Sequence, residues 1–134
     1  MRKRYRILFI CLTGLLCGCS VQTDDGEKIR DIDYTVMDKQ EMPEELETFI
    51  EEQGEEAFEI TFGDEGYLYI VKGYGRQETT GYSIEVEECF ETSALIHVKT
   101  SLMGPSKGED ILEKETFPYI VIKIEYSEKN VVFE

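Results

Sequence analysis

The chain has 134 residues, with 14 basic residues against 29 acidic ones and a formal net charge of −15 at neutral pH. A surface of that sign repels nucleic-acid phosphates and anionic membrane faces, so binding to either through a basic patch is excluded. One histidine, four cysteines and no tryptophan leave a thin inventory for metal, redox or nucleophilic chemistry.

Residues 1–18 read as a signal peptide. Arg2, Lys3, Arg4 and Arg6 form a basic start without an acid, and Ile7-Leu8-Phe9-Ile10-Cys11-Leu12 and Leu15-Leu16-Cys17 follow. The apolar run is too short for a stable membrane span. It closes on Leu16-Cys17-Gly18-Cys19, which resembles a bacterial lipobox: an apolar residue, a small residue, Gly, then Cys. The resemblance implies a diacylglycerol on Cys19, which becomes the mature N-terminus. The expected location is the cell membrane, lipid-anchored and outside the cytoplasm. Cys11 and Cys17 leave with the signal and Cys19 is consumed by lipid, so Cys89 is the one remaining thiol and no internal disulfide forms. The four cations of the signal leave too. Ten basic residues then face all 29 acids, a net charge of −19.

Residues 19–41 read as the lipidated Cys and a flexible tether, because "SVQTDDGEKIRDID" is polar and without a sustained period. As a coil those residues span roughly 20 Å. Residues 42–134 form one domain, enough for a single core. A short helix is predicted over 42–54. Pro43 suits its first turn, Glu44 and Glu45 complement the dipole, Leu46, Phe49 and Ile50 share a face, and Gly54 ends it. Phe58, Ile60 and Phe62 alternate with polar residues, the Gly63-Asp64-Glu65-Gly66 cluster turns, and Tyr67-Leu68-Tyr69-Ile70-Val71 returns as a hairpin. Further strands are predicted over 82–86, 94–100 and 119–124, with a short edge strand over 131–133. The 119–124 strand is the most apolar and is placed centrally. A long loop opens at Met103 and runs to Thr116. The expected class is α+β: a mainly antiparallel sheet of five to six strands, sandwich-like or curled, with one short N-terminal helix.

The chemistry is mostly absent. His97 lies inside a strand pattern with no partner in sequence for catalysis or metal binding. Asp24-Asp25-Gly26 and Asp31-Ile32-Asp33 do not fit a calcium-loop spacing. Cys89 has only acids beside it, which favours a buried, unreactive thiol. No catalytic residue, metal ligand or cofactor is assigned, and the chain reads as a non-enzyme.

One stretch draws attention: "GYGRQETTGYSIEV", residues 73–86, places three glycines and two threonines at the mouth of a strand. Gly81 suits a positive φ, and Thr79 and Thr80 can hydrogen-bond nearby backbone and hold the loop's shape. The alternative is a docking loop built from Arg76, Thr79, Thr80, Gly81 and Tyr82. Arg76 reads as the only Arg of the folded region. The remaining tyrosines read mainly as sheet-packing residues, with Tyr74 and Tyr82 also placed for contact.

"MPEELETFIEEQ", "YLYIVKGYGRQETTGYSIEV", "GPSKGED" and "FPYIVIKI" occur in this order. Together they resemble the C-terminal domain family of the protease complex subunit PrcB, over roughly residues 42–133. The usual Gly-Gly before Tyr is Thr80-Gly81 here. The resemblance implies a noncatalytic accessory domain that binds a surface or envelope protein, with a protease as one such partner. A second likeness lies in "ETTGY", which is similar to the Asn-Pro-Thr-Thr-Gly-Tyr loop of chagasin-like cysteine-protease inhibitors; here Gln77-Glu78 replaces Asn-Pro. That likeness implies the rival function, inhibition of an extracellular protease by the 76–82 loop.

Overall fold

The computed structural model describes residues 26–134; the predicted signal peptide, Cys19 and the first tether residues lie outside the described residues. In chain order run β1 (Arg30–Asp31), β2 (Thr35–Val36), a 3-10 turn (Lys39–Glu41), helix α1 (Glu44–Glu52), β3 (Ala57–Asp64), β4 (Tyr67–Tyr74), β5 (Ser83–Glu91), β6 (Leu95–Met103), β7 (Tyr119–Glu125) and β8 (Asn130–Phe133). They form two four-stranded sheets, ordered β1-β5-β6-β8 and β2-β7-β4-β3. Every pairing is antiparallel except β6 with β8.

The antiparallel, sandwich-like character matches expectation, and β7 is internal to its sheet as expected. The strand count does not: the described residues form eight strands rather than five to six. Two of the additional strands lie in the stretch expected to be tether. Arg30–Asp31 pairs with β5 and Thr35–Val36 with β7, so this segment passes from one sheet to the other. Backbone bonds from Ile29 to Glu91 (2.8 Å), Ile32 to Cys89 (2.9 Å) and Met37 to Val121 (2.9 Å) fasten it. Ordered structure thus begins before residue 42. A two-residue strand has no period to read, which is why the pattern missed both. The helix follows these strands and is not the first element.

The core has two layers. Between the sheets, Leu68 and Ile70 of β4 and Ile122 and Ile124 of β7 meet Cys89 of β5 and Ile96 and Val98 of β6. On the far side of the second sheet, α1 lays Leu46 and Ile50 over Tyr69, Val71 and Val121. Phe49, expected on the same face, sits at its edge and is 44% exposed, meeting the Phe62 ring at 5.8 Å.

The β3–β4 hairpin turns on Glu65 and Gly66 alone, with φ of 51° and 87°. Two positive φ values are what a two-residue turn needs to match strand twist. Gly63 and Asp64, expected in the turn, are paired strand residues. In β5 the register shifts between Val86 and Glu88. Val86 packs inward before this bulge and Cys89 after it. The extra residue flips the alternation, so the sequence pattern stops at Val86 while the strand runs on to Glu91.

The pairing register places two sheet-to-sheet connections at each end of the sandwich. Residues 32–34 and 126–129 cross at one end, and residues 75–82 and 104–118 at the other. Among the described residues no helix is long and apolar enough to cross a membrane.

Candidate functional site

Residues 75–82 leave β4 and enter β5, and residues 104–118 leave β6 and enter β7. The two loops are clasped together. Gln77 and Thr116 exchange backbone bonds at 2.8 and 3.0 Å. The Thr80 amide donates to the Leu112 carbonyl at 3.0 Å, and the Leu112 amide donates to Thr80 Oγ1 at 2.9 Å. Thr116 Oγ1 donates to the Thr79 carbonyl at 2.8 Å, and Thr79 Oγ1 to the Thr80 carbonyl at 3.0 Å. Both threonine hydroxyls of the candidate loop are therefore engaged inside the clasp.

Gly81 makes the approach possible. Its φ is +98°, and a Cβ there would lie 2.9 Å from Pro105 Cβ and 3.2 Å from Ile111. No L side chain fits both conditions without movement. Tyr82 is half-buried with its ring beside Gly104. Arg76 donates to Glu115 at 2.7 Å, with the two side chains 51% and 53% exposed. That hydrogen bond and the Glu115 charge hold the guanidinium above its ordinary pKa. Arg76 is not the only ordered arginine, because Arg30 lies in β1 and pairs with Glu91. Tyr74 turns its hydroxyl to Thr100, and Lys72 lies over its ring at 5.3 Å.

The geometry thus brings the five candidate residues to one end of the sandwich but turns the threonines inward. Arg76 stays exposed, and the outward-facing apolar side chains are on the other loop. Leu112 is 65% exposed and Ile111 40%, and Met103 and Phe117 flank them with comparable exposure. These residues carried no role in the sequence reading. Their signal was an apolar Ile-Leu pair inside an otherwise polar loop.

Two residues weighed for chemistry have structural settings. Burial pushes the Cys89 thiol up to about 11, with the Asp31 charge adding to it, so the thiolate is scarce at neutral pH. His97 stacks on Phe90 at 4.9 Å, and its Nδ1 lies 2.5 Å from Glu134 Oε2. Among the described residues, no group of three or more His, Cys, Asp or Glu is placed to hold a metal ion.

Comparison with known proteins gives a family match. The family model described as PrcB C-terminal aligns with residues 68–125. That span takes in β5, β6, β7, nearly all of β4 and both clasped loops. It is shorter than the span of the resemblance read from sequence. No curated protein and no solved structure matches the chain.

Proposed function

We propose that this chain, whose residues 68–125 belong to the PrcB C-terminal family, is a noncatalytic accessory module that docks a protein through the clasped end of its sandwich. Family membership supports a partner in a protease complex. The lipobox-like Leu16-Cys17-Gly18-Cys19 supports anchoring at the outer face of the cell membrane through lipid on Cys19. The observation that carries the docking reading is the exposure of Ile111 and Leu112 on a fastened loop. Apolar side chains held in place lose little freedom on binding, which lowers the cost of association.

The test is affinity capture from the source membranes with the full chain as bait. The informative variant is Ile111→Ser with Leu112→Ser, because the hydrogen bonds of the clasp use the Leu112 backbone and neither side chain. Ile111 Cγ2 also packs at Gly81, so hydrogen-exchange protection at the Thr80 and Leu112 amides is checked in the variant. Ile29→Ser, equally exposed but at the far end, is the control. A partner retained by the control and lost by the double variant is the expected result. Equal capture by all three overturns the reading. The rival, inhibition by the 76–82 loop, predicts stoichiometric loss of a protease's activity on adding the chain. The inward engagement of Thr79 and Thr80 weighs against that rival.

A further inference from the structure

The C-terminal end of α1 is acidic. Its last turn carries Glu51 and Glu52 and no basic residue. The carbonyls of this turn are capped, with Gln53 Nε2 donating to Phe49 O at 3.0 Å, the Gln53 amide to Ile50 O at 3.1 Å and the Gly54 amide to Glu51 O at 3.3 Å, so the negative charge here is that of the carboxylates. Gly54 then turns the chain with φ +67°, and Glu56 follows.

Beside this helix end lies a cavity of about 190 Å³, bounded also by the start of β3, the end of β4 and Phe117-Pro118-Tyr119. Its apolar walls come from Ile50, Phe58, Phe117 and Tyr119. Its charged lining is Glu47, Glu51 and Glu56 against the single cation Lys39. Lys39 is already drawn towards Glu47, at 3.7 Å, and remains 62% exposed. The Phe58 ring lies across Gly73, where a Cβ would fall 2.3 Å from the ring, so the missing side chain at Gly73 creates the aromatic wall. Burial raises the Tyr119 hydroxyl above its ordinary pKa; Lys39 opposes this, and Glu47 and Glu51 add to it.

We propose that this pocket receives a lysine or arginine side chain of a protein partner. Aromatic rings attract a cation seated over a face, and carboxylates pair with it. The volume corresponds to about six waters and is below the roughly 300 Å³ where small-molecule pockets begin, so it suits one side chain. An anionic group would meet three carboxylates. A purely apolar group would desolvate them without compensation. That the cation belongs to a protein rests on the accessory-module reading; the chemistry of the pocket does not.

The test is an NMR titration of the ¹⁵N-labelled full chain in zwitterionic detergent with Nα-acetyl-arginine amide and Nα-acetyl-lysine amide. Nα-acetyl-norleucine amide is the apolar control. Saturable shifts confined to Gly54, Gly73, Gly75 and Tyr119 are expected from the cations and not from norleucine. Glu51→Gln, a conservative change on the helix surface, weakens cation binding by roughly fivefold because it removes one lining carboxylate. Equal binding of norleucine, or unsaturable shifts spread over the whole acidic surface, overturns the proposal. If capture depends on Ile111 and Leu112 but the probes leave the pocket unmoved, the accessory reading stands and this inference fails. If the probes saturate the pocket and no partner is captured, the cation site stands and its assignment to a protein fails.

Discussion

At one end of the sandwich the sheets are joined by three residues, 32–34, and four residues, 126–129; at the other, by eight residues, 75–82, and fifteen, 104–118. The short end is closed by charges turned on one another. Lys129 Nζ donates to Glu91 Oε1 at 2.8 Å and to the Thr92 carbonyl at 2.7 Å, and Arg30 reaches the same carboxylate. Thr92 is fully buried, and its Oγ1 accepts from the Leu95 amide at 3.0 Å. The long end is held mainly by neutral bonds between loops, with one exposed ion pair, Arg76 with Glu115, and leaves Ile111, Leu112 and Phe117 in solvent. Connections of two to six residues are usual, and ordered loops of about fifteen are mostly functional. The closed end satisfies the needs of the fold, whereas the long end uses more chain than connectivity requires and exposes apolar surface. Cavity size alone does not separate them. A depression of about 680 Å³, larger than the pocket beside α1, is an open dish at the closed end walled largely by polar turn residues such as Asp64, Glu65 and Glu128.

The strongest way to break the contrast is Gly81→Val. A β-branched side chain at φ +98°, with its Cβ 2.9 Å from Pro105, costs roughly 3 kcal/mol in strain and overlap. Hydrogen exchange is expected to lose protection at the Thr80 and Leu112 amides while the Leu95 amide keeps it. Uniform loss at both ends would mean that the clasp and the closed end open as one unit, and the comparison would fail.

Glu91 tests the closed end. Removing its carboxylate with Glu91→Ala leaves Lys129 and Arg30 facing an uncharged position and costs about 2 kcal/mol, read as a lower urea midpoint. The pH dependence has a fixed sign. Hydrogen bonding from Lys129, opposed by burial and aided by the charges of Lys129 and Arg30, lowers the Glu91 pKa in the folded chain. A carboxylate with a lowered folded pKa contributes its full stability above its unfolded value, about 4.3 for Glu, and loses it as pH falls through the folded value. The stability difference between the wild type and Glu91→Gln should therefore be largest at pH 7 and shrink towards pH 3. A difference that stays constant over that window would show that the carboxylate's charge does not close this end.

The same contrast shows where the sequence was readable. β4 and β7 were legible because strands buried on both faces read as unbroken apolar runs. α1 was legible from Pro43, its apolar stripe and Gly54. The second half of β5 was hidden by its bulge, which reverses the alternation after Val86. At the candidate site, the role of Thr79 and Thr80 as loop fasteners was readable, but their partners Leu112 and Thr116 lie more than thirty residues away. No local pattern names a partner at that distance. The cation pocket was less legible still, since it needs Phe58 laid across Gly73 and a helix end brought beside Tyr119, and only the folded register supplies both.

The smallest expected effect sharpens the comparison most directly. Arg76 and Glu115 form an ion pair at 2.7 Å, as short as the bonds of Lys129 at the closed end. Their side chains are 51% and 53% exposed, whereas that of Glu91 is 13% exposed. Water and salt screen the exposed pair, so equal distance does not mean equal contribution. Arg76→Ala should leave the urea midpoint unchanged within error, in contrast to Glu91→Ala. If it nevertheless weakens partner capture, Arg76 contacts the partner, because the fold does not depend on its charge. If capture is also unchanged, the docking surface is confined to the apolar loop and the neighbouring pocket. A clear drop in the urea midpoint would instead make Arg76 part of the clasp and bring the two ends closer in design than their connections indicate.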